Sequence, residues 1–233
     1  CGGNRQKIQK SRRGLTVTTD IMSMGKRQWL VLAIILSSFA IGLYFYPWMP
    51  ERIASHWNAA GEVNGYMPKL WGLFLMPFIS VAMFLLFLVI PKMEPMKENL
   101  AKFRTYFDTF TLVLFLFLFY IYLLTILWNI GARFNMSQML VPAFGFLIYY
   151  CGILMQNAKR NWFIGIRTPW TLSSEAVWNK THQLGGRLFK IAAVIAFIGI
   201  FVPRYALFFF LVPVLGFSIF LFVYSYVKYK AIV

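Results

Sequence analysis

The 233-residue sequence contains little charge, few acidic residues and almost no cysteine. Charged residues make up 13% of the chain, whereas a typical soluble domain has about 25%. Cys1 is the first residue and Cys151 lies inside an apolar run, so the sequence indicates no disulfide framework. With 60% hydrophobic residues, the composition excludes an ordinary soluble domain and indicates a membrane protein.

Lysine and arginine dominate the charged residues, 23 against seven acids, which gives a formal net charge of +16. A basic protein that binds nucleic acid carries its cations as a stripe on a soluble fold. Here the cations lie in short segments between apolar runs, where the positive-inside rule accounts for them. We therefore expect no direct contact with nucleic acid.

Apolar runs long enough to cross a bilayer recur along the chain. At about 1.5 Å per residue, roughly 20 residues cover the hydrocarbon core of about 30 Å. The predicted spans are residues 29–48, 70–90, 107–130, 139–155, 188–202 and 205–227. Loops rich in Lys and Arg alternate with poorer ones, which places both termini in the cytoplasm. The predicted fold class is an all-α polytopic protein of the cytoplasmic membrane with six transmembrane helices.

Two long polar loops divide the chain into two halves of three spans each. Residues 24–130 hold the first three spans and an outer loop, residues 47–69. Residues 131–233 hold the last three spans and an inner loop, residues 157–187. Residues 1–23 precede a Met-Gly-Lys-Arg segment that is a normal start for a polytopic protein, so we expect them to be disordered or a non-native extension.

The outer loop contains the signal for a very small β-hairpin. The pair Asn64-Gly65 tolerates positive φ and stands between two short apolar segments, which predicts a type I′ turn. A two-stranded ribbon is marginal by itself. We therefore expect the hairpin to lean on the bundle or on the membrane surface.

The inner loop predicts a short amphipathic helix. Ser173 or Ser174 can cap it, and we expect it to end at Leu184 with Gly185 in the left-handed position beyond. The helix has two interpretations, an anchor lying on the inner leaflet or a docking face for a cytoplasmic partner. Interfacial tryptophan is common, so the residues alone favour the surface anchor.

The segment before this helix has an unusual composition. Arg167 is expected to stack on Trp162 or Trp170 as a cation–π pair. Pro169 restricts Thr168 to an extended conformation. These residues predict a rigid loop tucked under the bundle.

Neither histidine has the neighbours that catalysis or metal binding needs. Glu175, Trp178 and His182 share one helix face. However, Glu175 and His182 lie about 10 Å apart along the axis, which is too far for a catalytic pair. His56 is predicted on the opposite side of the membrane from His182, which excludes a shared zinc site. We expect no enzyme activity, no metal and no cofactor.

The centres of the predicted spans contain no Asp, Glu, Lys, Arg or His. Ion-coupled transporters and proton pumps keep such residues in the membrane interior for function. Asp108 stands at the start of its span, where we expect the helix macrodipole to stabilise it. The absence of ionisable residues thus counts against ion-coupled transport, but not against passive transport or the transport of a lipid-like substrate.

Two motifs resemble a known family. Residues 165–186, GIRTPWTLSSEAVWNKTHQLGG, resemble the signature of SdpI-family membrane proteins. Residues 47–69 resemble the small domain of unknown function at the front of many of these proteins, with its Pro, His-Trp-Asn, glycines and Lys. The resemblance covers the chain from about Trp29 to the end.

The resemblance implies a membrane immunity or sensor protein that protects a prokaryotic cell from a secreted peptide toxin and sequesters a transcriptional repressor. The outer motif, the expected toxin-sensing site, comprises Pro50, His56, Trp57, Asn58, Gly61, Gly65 and Lys69. The inner motif, the expected partner-docking site, comprises Asn161, Trp162, Gly165, Arg167, Thr168, Pro169, Trp170, Thr171, Glu175, Trp178, Lys180, Thr181 and His182. The alternative function is a membrane transporter or permease for a small or lipid-like substrate.

Overall fold

The computed structural model describes residues 24–232, so the expectation for residues 1–23 lies outside the described residues. Within that part of the chain, six helices are long and apolar enough to cross a membrane. They are α1 (Lys26–Phe45), α2 (Lys69–Met93), α3 (Lys97–Asn129), α4 (Met136–Asn157), α6 (Glu175–Ile198) and α7 (Ala206–Lys230), and the short helix α5 is Pro169–Ser173. The predicted six-span fold of a multi-pass membrane protein is confirmed. The side on which the termini lie stays a prediction.

The connections between helices collect at two ends of the bundle. At the hairpin end, strands β1 (Arg52–Trp57) and β2 (Val63–Pro68) form an antiparallel pair that contacts the α3–α4 connection. At the loop end, the segment between α4 and α6 is hydrogen-bonded to Glu94 in the α2–α3 connection and to Asn99 in the first turn of α3. These two ends correspond to the predicted outer and inner sides.

Each end has its own apolar core, and α3 contributes to both. The hairpin-end core is Met49, Ile53, Leu73, Phe74, Tyr122 and Ile126. The loop-end core is Leu100, Phe103, Phe107, Leu154, Ala158 and Trp178. Among the helices, α4 and α6 make the most extensive contact. Because α3 packs into both cores, it links the two ends physically.

The charged segment after the second span is mostly helical. Only residues 94–96 separate α2 from α3. Helix α3 has 33 residues, more than the roughly 20 that cross the hydrocarbon core, and a kink at Phe103 (φ −126°, ψ 17°) separates its charged first turns from its apolar part. Asp108 therefore lies inside α3, one turn after Arg104, to which it pairs at 2.8 Å. The expected role of Asp108 at a helix start is wrong.

The predicted end of the inner helix at Leu184 is also wrong. Helix α6 runs without interruption through Gly185 and Gly186 to Ile198, so the inner helix and the fifth span are one element. The glycines serve close packing instead of a helix end: a Cβ on Gly152 of α4 would lie 2.7 Å from the Gly186 carbonyl oxygen. Small residues at such a crossing allow two helix backbones to approach closely.

Candidate functional sites at the two ends of the bundle

The hairpin forms, but its turn is not at Asn64-Gly65. The chain reverses at residues 58–62, where the Asn58 side chain accepts the Glu62 N–H at 3.0 Å and Gly61 has a φ of +81°. Gly65 lies inside β2, opposite His56 at an irregularity in the register. A Cβ there would lie 2.9 Å from the His56 Cβ. Gly65 therefore serves close packing rather than a type I′ turn.

Side-chain amides fix the hairpin to the bundle. The Asn129 amide accepts the Ala54 N–H at 2.8 Å and donates to the Ala54 carbonyl at 3.0 Å, as a neighbouring strand would. Asn135 donates to the Ala60 carbonyl at 2.7 Å. The sequence analysis missed both asparagines, although Asn129 is one of the few polar residues in the third span.

An aromatic and cationic stack lies beside the hairpin. The Trp57 ring meets the Trp128 ring edge to face at 5.8 Å between centroids, and the Arg133 guanidinium lies 3.9 Å from the Trp128 ring. The Trp57 indole N–H is buried without an acceptor among the described residues. His56 is exposed and contacts the Asn64 amide. The sequence pattern His-Trp-Asn thus places one exposed and one half-buried ring at this end.

The remaining outer-motif residues frame the hairpin. Pro50 is exposed where the chain enters β1, and Asn58 holds the turn. Lys69 starts α2, where its ammonium lies 3.5 Å from the Glu51 carboxylate and 4.7 Å from the Tyr46 ring. The structure thus brings the outer motif together at one end of the bundle.

At the loop end, Asn161 organises the chain after α4. It is fully buried, and its amide donates to the carbonyls of Lys159 and Ile164 and accepts the N–H groups of Phe163 and Ile164. Every hydrogen-bonding position that this geometry offers is filled. Asn161 therefore determines the path of the loop and does not face a partner.

Glu94 is a buried acid that the sequence analysis missed. It is 1% exposed, and its two carboxylate oxygens accept the N–H groups of Met96 at 2.9 Å and Trp162 at 3.0 Å. It ties the α2–α3 connection to the inner loop. Its only sequence signal was its rarity, since the chain has seven acidic residues.

Hydroxyl groups connect α5 to α7. Thr168 and Thr171 form a reciprocal capping box at the start of α5, with φ and ψ of −94° and 161° at Thr168. The expected extended conformation before Pro169 is confirmed. The Thr168 hydroxyl also lies 3.1 Å from the Ser225 hydroxyl of α7. The Ser225 hydroxyl also donates to the Phe222 carbonyl at 2.7 Å.

Trp178 and His182 form a buried stacked pair. Their ring centroids lie 3.8 Å apart, the two side chains are 0% and 1% exposed, and the Trp178 indole donates to the Ala158 carbonyl at 2.9 Å. His182 Nε2 accepts the Ile166 N–H at 3.0 Å, while Nδ1 donates to the Trp178 carbonyl at 2.9 Å. These two bonds specify a neutral imidazole with its proton on Nδ1.

Gly165 makes the His182 contact possible. Its φ of +107° disfavours any side chain, and a Cβ at this position would overlap His182 Nε2. The neighbouring Thr181 is also fully buried, and its hydroxyl has no partner among the described residues.

The interpretation of the inner helix as a surface anchor is wrong, because its Trp and His are buried in the bundle. The expected cation–π pair is wrong as well: within residues 24–232, Arg167 donates to the Trp162 carbonyl at 2.8 Å and stacks on no ring. Trp170 instead packs against rings of α7. The inner-motif side chains that reach the surface are Trp162, Arg167, Pro169, Glu175 and Lys180.

An apolar cavity of about 390 Å³ lies beneath the inner loop, between α2, α3, α4 and α6. Its walls include Phe87, Phe110, Phe189 and Ile164, and Cys151 is its one thiol. No charged side chain lines it. Such a cavity suits an apolar group rather than a polar solute.

Known protein families match the chain at both ends of the bundle. Residues 33–81 match a domain of unknown function (DUF1648), and residues 157–227 match the SdpI/YfhL protein family. The chain is 24% identical to the immunity protein SdpI of Bacillus subtilis over 191 residues, which cover 82% of this chain and 89% of the relative. No solved structure matches the chain significantly. The family match and the identity over most of the chain together support an SdpI-family protein.

Proposed function

We propose that this protein gives immunity against a secreted peptide toxin and reports the presence of that toxin across the membrane. The observation that carries the proposal is the similarity to the B. subtilis immunity protein, which extends over 82% of this chain and includes both ends of the bundle. An immunity role requires no chemistry, only a membrane protein that recognises the toxin.

The hairpin end offers the recognition surface. His56 is exposed, and the exposed rings of Tyr44, Trp48 and Tyr66 lie in and beside the hairpin. Amphipathic aromatic rings of this kind suit contact with a peptide at the membrane interface. The buried Trp57 indole lacks an acceptor, which costs free energy. A toxin carbonyl that reaches this donor would remove that cost and favour a shifted hairpin.

Helix α3 provides a route between the ends. Its last residue, Asn129, holds the hairpin, and its first turns contribute Leu100 and Phe103 to the core around Trp178. A toxin shifts the protein only by binding two arrangements unequally. In this proposal the second arrangement moves α3 and opens the inner loop.

A cytoplasmic repressor would dock on the exposed part of the inner motif. Arg167 and Glu175 are accessible, whereas Trp178 and His182 become accessible only if the loop opens. This arrangement would make repressor sequestration depend on toxin binding.

The test is survival. The full chain is expressed in a B. subtilis strain that lacks its own immunity protein, and the strain is challenged with the secreted toxin. We expect protection by the intact protein, loss of protection in Trp57→Ala and retention in Trp29→Ala, an exposed tryptophan in the first turn of α1, away from the hairpin. Membrane levels of each variant are measured by immunoblot.

Absence of protection at normal membrane levels would overturn the immunity proposal. Uptake of a lipid-like substrate by the same cells would then favour the transporter alternative, for which the apolar cavity offers room. Signalling is tested separately with a fluorescently tagged repressor. Toxin should move the repressor to the membrane in cells with the intact protein but not with the Arg167→Ala, Glu175→Ala double variant.

A further inference from the structure

A cationic cleft lies on the outside of the bundle between α6 and α7, at the loop end. It has a volume of about 390 Å³. Its lining residues are Asn179, Lys180, Gln183, Leu184, Arg187 and Tyr224. None of these residues belongs to the buried Trp178–His182 pair, so the cleft is distinct from the core of the inner motif.

The cleft has an excess of positive charge. Lys180 and Arg187 stand two helical turns apart on α6, about 10 Å. Tyr224 lies in the opposite wall, and the Lys228 ammonium, just outside the lining, lies 5.5 Å from its ring. No acid lines the cleft. Within residues 24–232, the ion pairs are Lys69 with Glu51 and Arg104 with Asp108, so these three cations make none.

Both walls change from cationic to apolar along the helices. On α6, the stripe Lys180, Leu184, Arg187, Ile191, Val194 and Ile198 follows spacings of four, three, four, three and four. Its last three members are 50%, 61% and 48% exposed. On α7, Lys228, Tyr224, Phe220 and Gly216 recur at every fourth residue, and nothing lies within 4 Å of a Cβ placed on Gly216.

We propose that this cleft binds an anionic diacyl phospholipid. The lipid phosphate lies between Lys180, Arg187 and Lys228, and an acyl chain follows the groove past Ile191 and Val194. Arginine presents paired N–H donors that match a phosphate, and lysine adds a point charge. Basic pockets between transmembrane helices recognise anionic headgroups in this way. This inference stands independently of the immunity proposal.

The experiment is native mass spectrometry of the full chain in detergent, titrated with phosphatidylglycerol or phosphatidylcholine. We expect the intact protein to bind phosphatidylglycerol at least tenfold more tightly. The cleft variant K180Q, R187Q, K228Q should lose this preference. The matched control K92Q, K97Q, K102Q removes the same charge from exposed lysines at the same end and should keep the preference.

Equal loss of preference in both triple variants would overturn the proposal, because net charge alone would then explain binding. Displacement of the lipid by millimolar inorganic phosphate or glycerol phosphate would overturn the lipid assignment. Thermal unfolding without added lipid checks that each variant is folded. If the cleft triple variant does not fold, Arg187→Gln should weaken phosphatidylglycerol binding several-fold and Arg187→Lys should restore part of it; no difference between these two would also overturn the proposal.

Discussion

The two ends of the bundle are built in opposite ways. At the hairpin end, a two-stranded ribbon is held by the amides of Asn129 and Asn135 and by Ile53 in the hairpin-end core, and it leaves its histidine exposed. At the loop end, Glu94, Asn161 and His182 are buried and hydrogen-bonded to backbone groups. Buried polar networks specify one arrangement, because each unmade bond is costly. The hairpin end therefore leaves polar and aromatic groups accessible, whereas the loop end holds its chain in one arrangement.

Replacing Gly165 should destabilise the loop end strongly. Gly165→Ala combines a φ of +107° with overlap on His182, so we expect a loss of more than about 2 kcal/mol in unfolding free energy. Gly131→Ala is the matched control, because its φ is +116° but its Cβ would meet open space. Denaturant unfolding in mixed micelles measures both. Equal losses would show that the His182 contact adds nothing to the backbone strain.

Replacing each of the two histidines compares the stability that a histidine contributes at each end. His182→Ala leaves the half-buried Ile166 N–H without its acceptor and creates a void beside Trp178, so we expect a loss of about 2–3 kcal/mol in unfolding free energy. His56→Ala removes an exposed ring and should change stability by less than about 0.5 kcal/mol. The same unfolding experiment serves for both. A larger loss at His56 would reverse the comparison.

Glu94→Gln should have an intermediate effect. One of its two oxygens becomes an NH₂ group facing a backbone N–H donor, which should cost about 1–2 kcal/mol. The control is Glu51→Gln at the hairpin end, where an exposed ion pair contributes about 0–1 kcal/mol. If the two substitutions shift the unfolding midpoint equally, Glu94 does not stabilise the inner loop.

Asn129→Ala should lower the global unfolding free energy the least of these substitutions at buried or hydrogen-bonded positions, and it should loosen the hairpin locally. It removes two hydrogen bonds to Ala54, so we expect faster amide hydrogen exchange in β1 and β2 and a global loss of about 1 kcal/mol. Asn129→Asp keeps the acceptor for the Ala54 N–H and should give a smaller increase. Unchanged exchange in the hairpin would mean that Asn129 does not hold it.

Local rules predicted several features correctly. The six spans follow from apolar runs of sufficient length, and the extended Thr168 follows from the ring of Pro169. Ser174 also caps α6 as expected, with its hydroxyl accepting the Val177 N–H. Each depends on neighbouring residues or on the bilayer, and no distant contact is needed.

The wrong predictions for the inner helix share a physical cause. In a chain that is apolar on every side, a helix face against lipid and a face against another helix have similar composition. Trp178 therefore had the sequence signature of an interfacial anchor although it is fully buried. Gly185 had the signature of a helix end, although it lies within a continuous helix that packs closely on its neighbours.

The sequence by itself determined the class of protein, the number of spans and the two motifs, because these depend on hydropathy and on residue order. Only the tertiary structure decided where the hairpin turns, which inner-motif residues are buried and which remain accessible. It also brought together Glu94 with Trp162 and Asn129 with Ala54, pairs that lie 68 and 75 residues apart. Such pairs form through packing of the whole bundle, which no local pattern encodes.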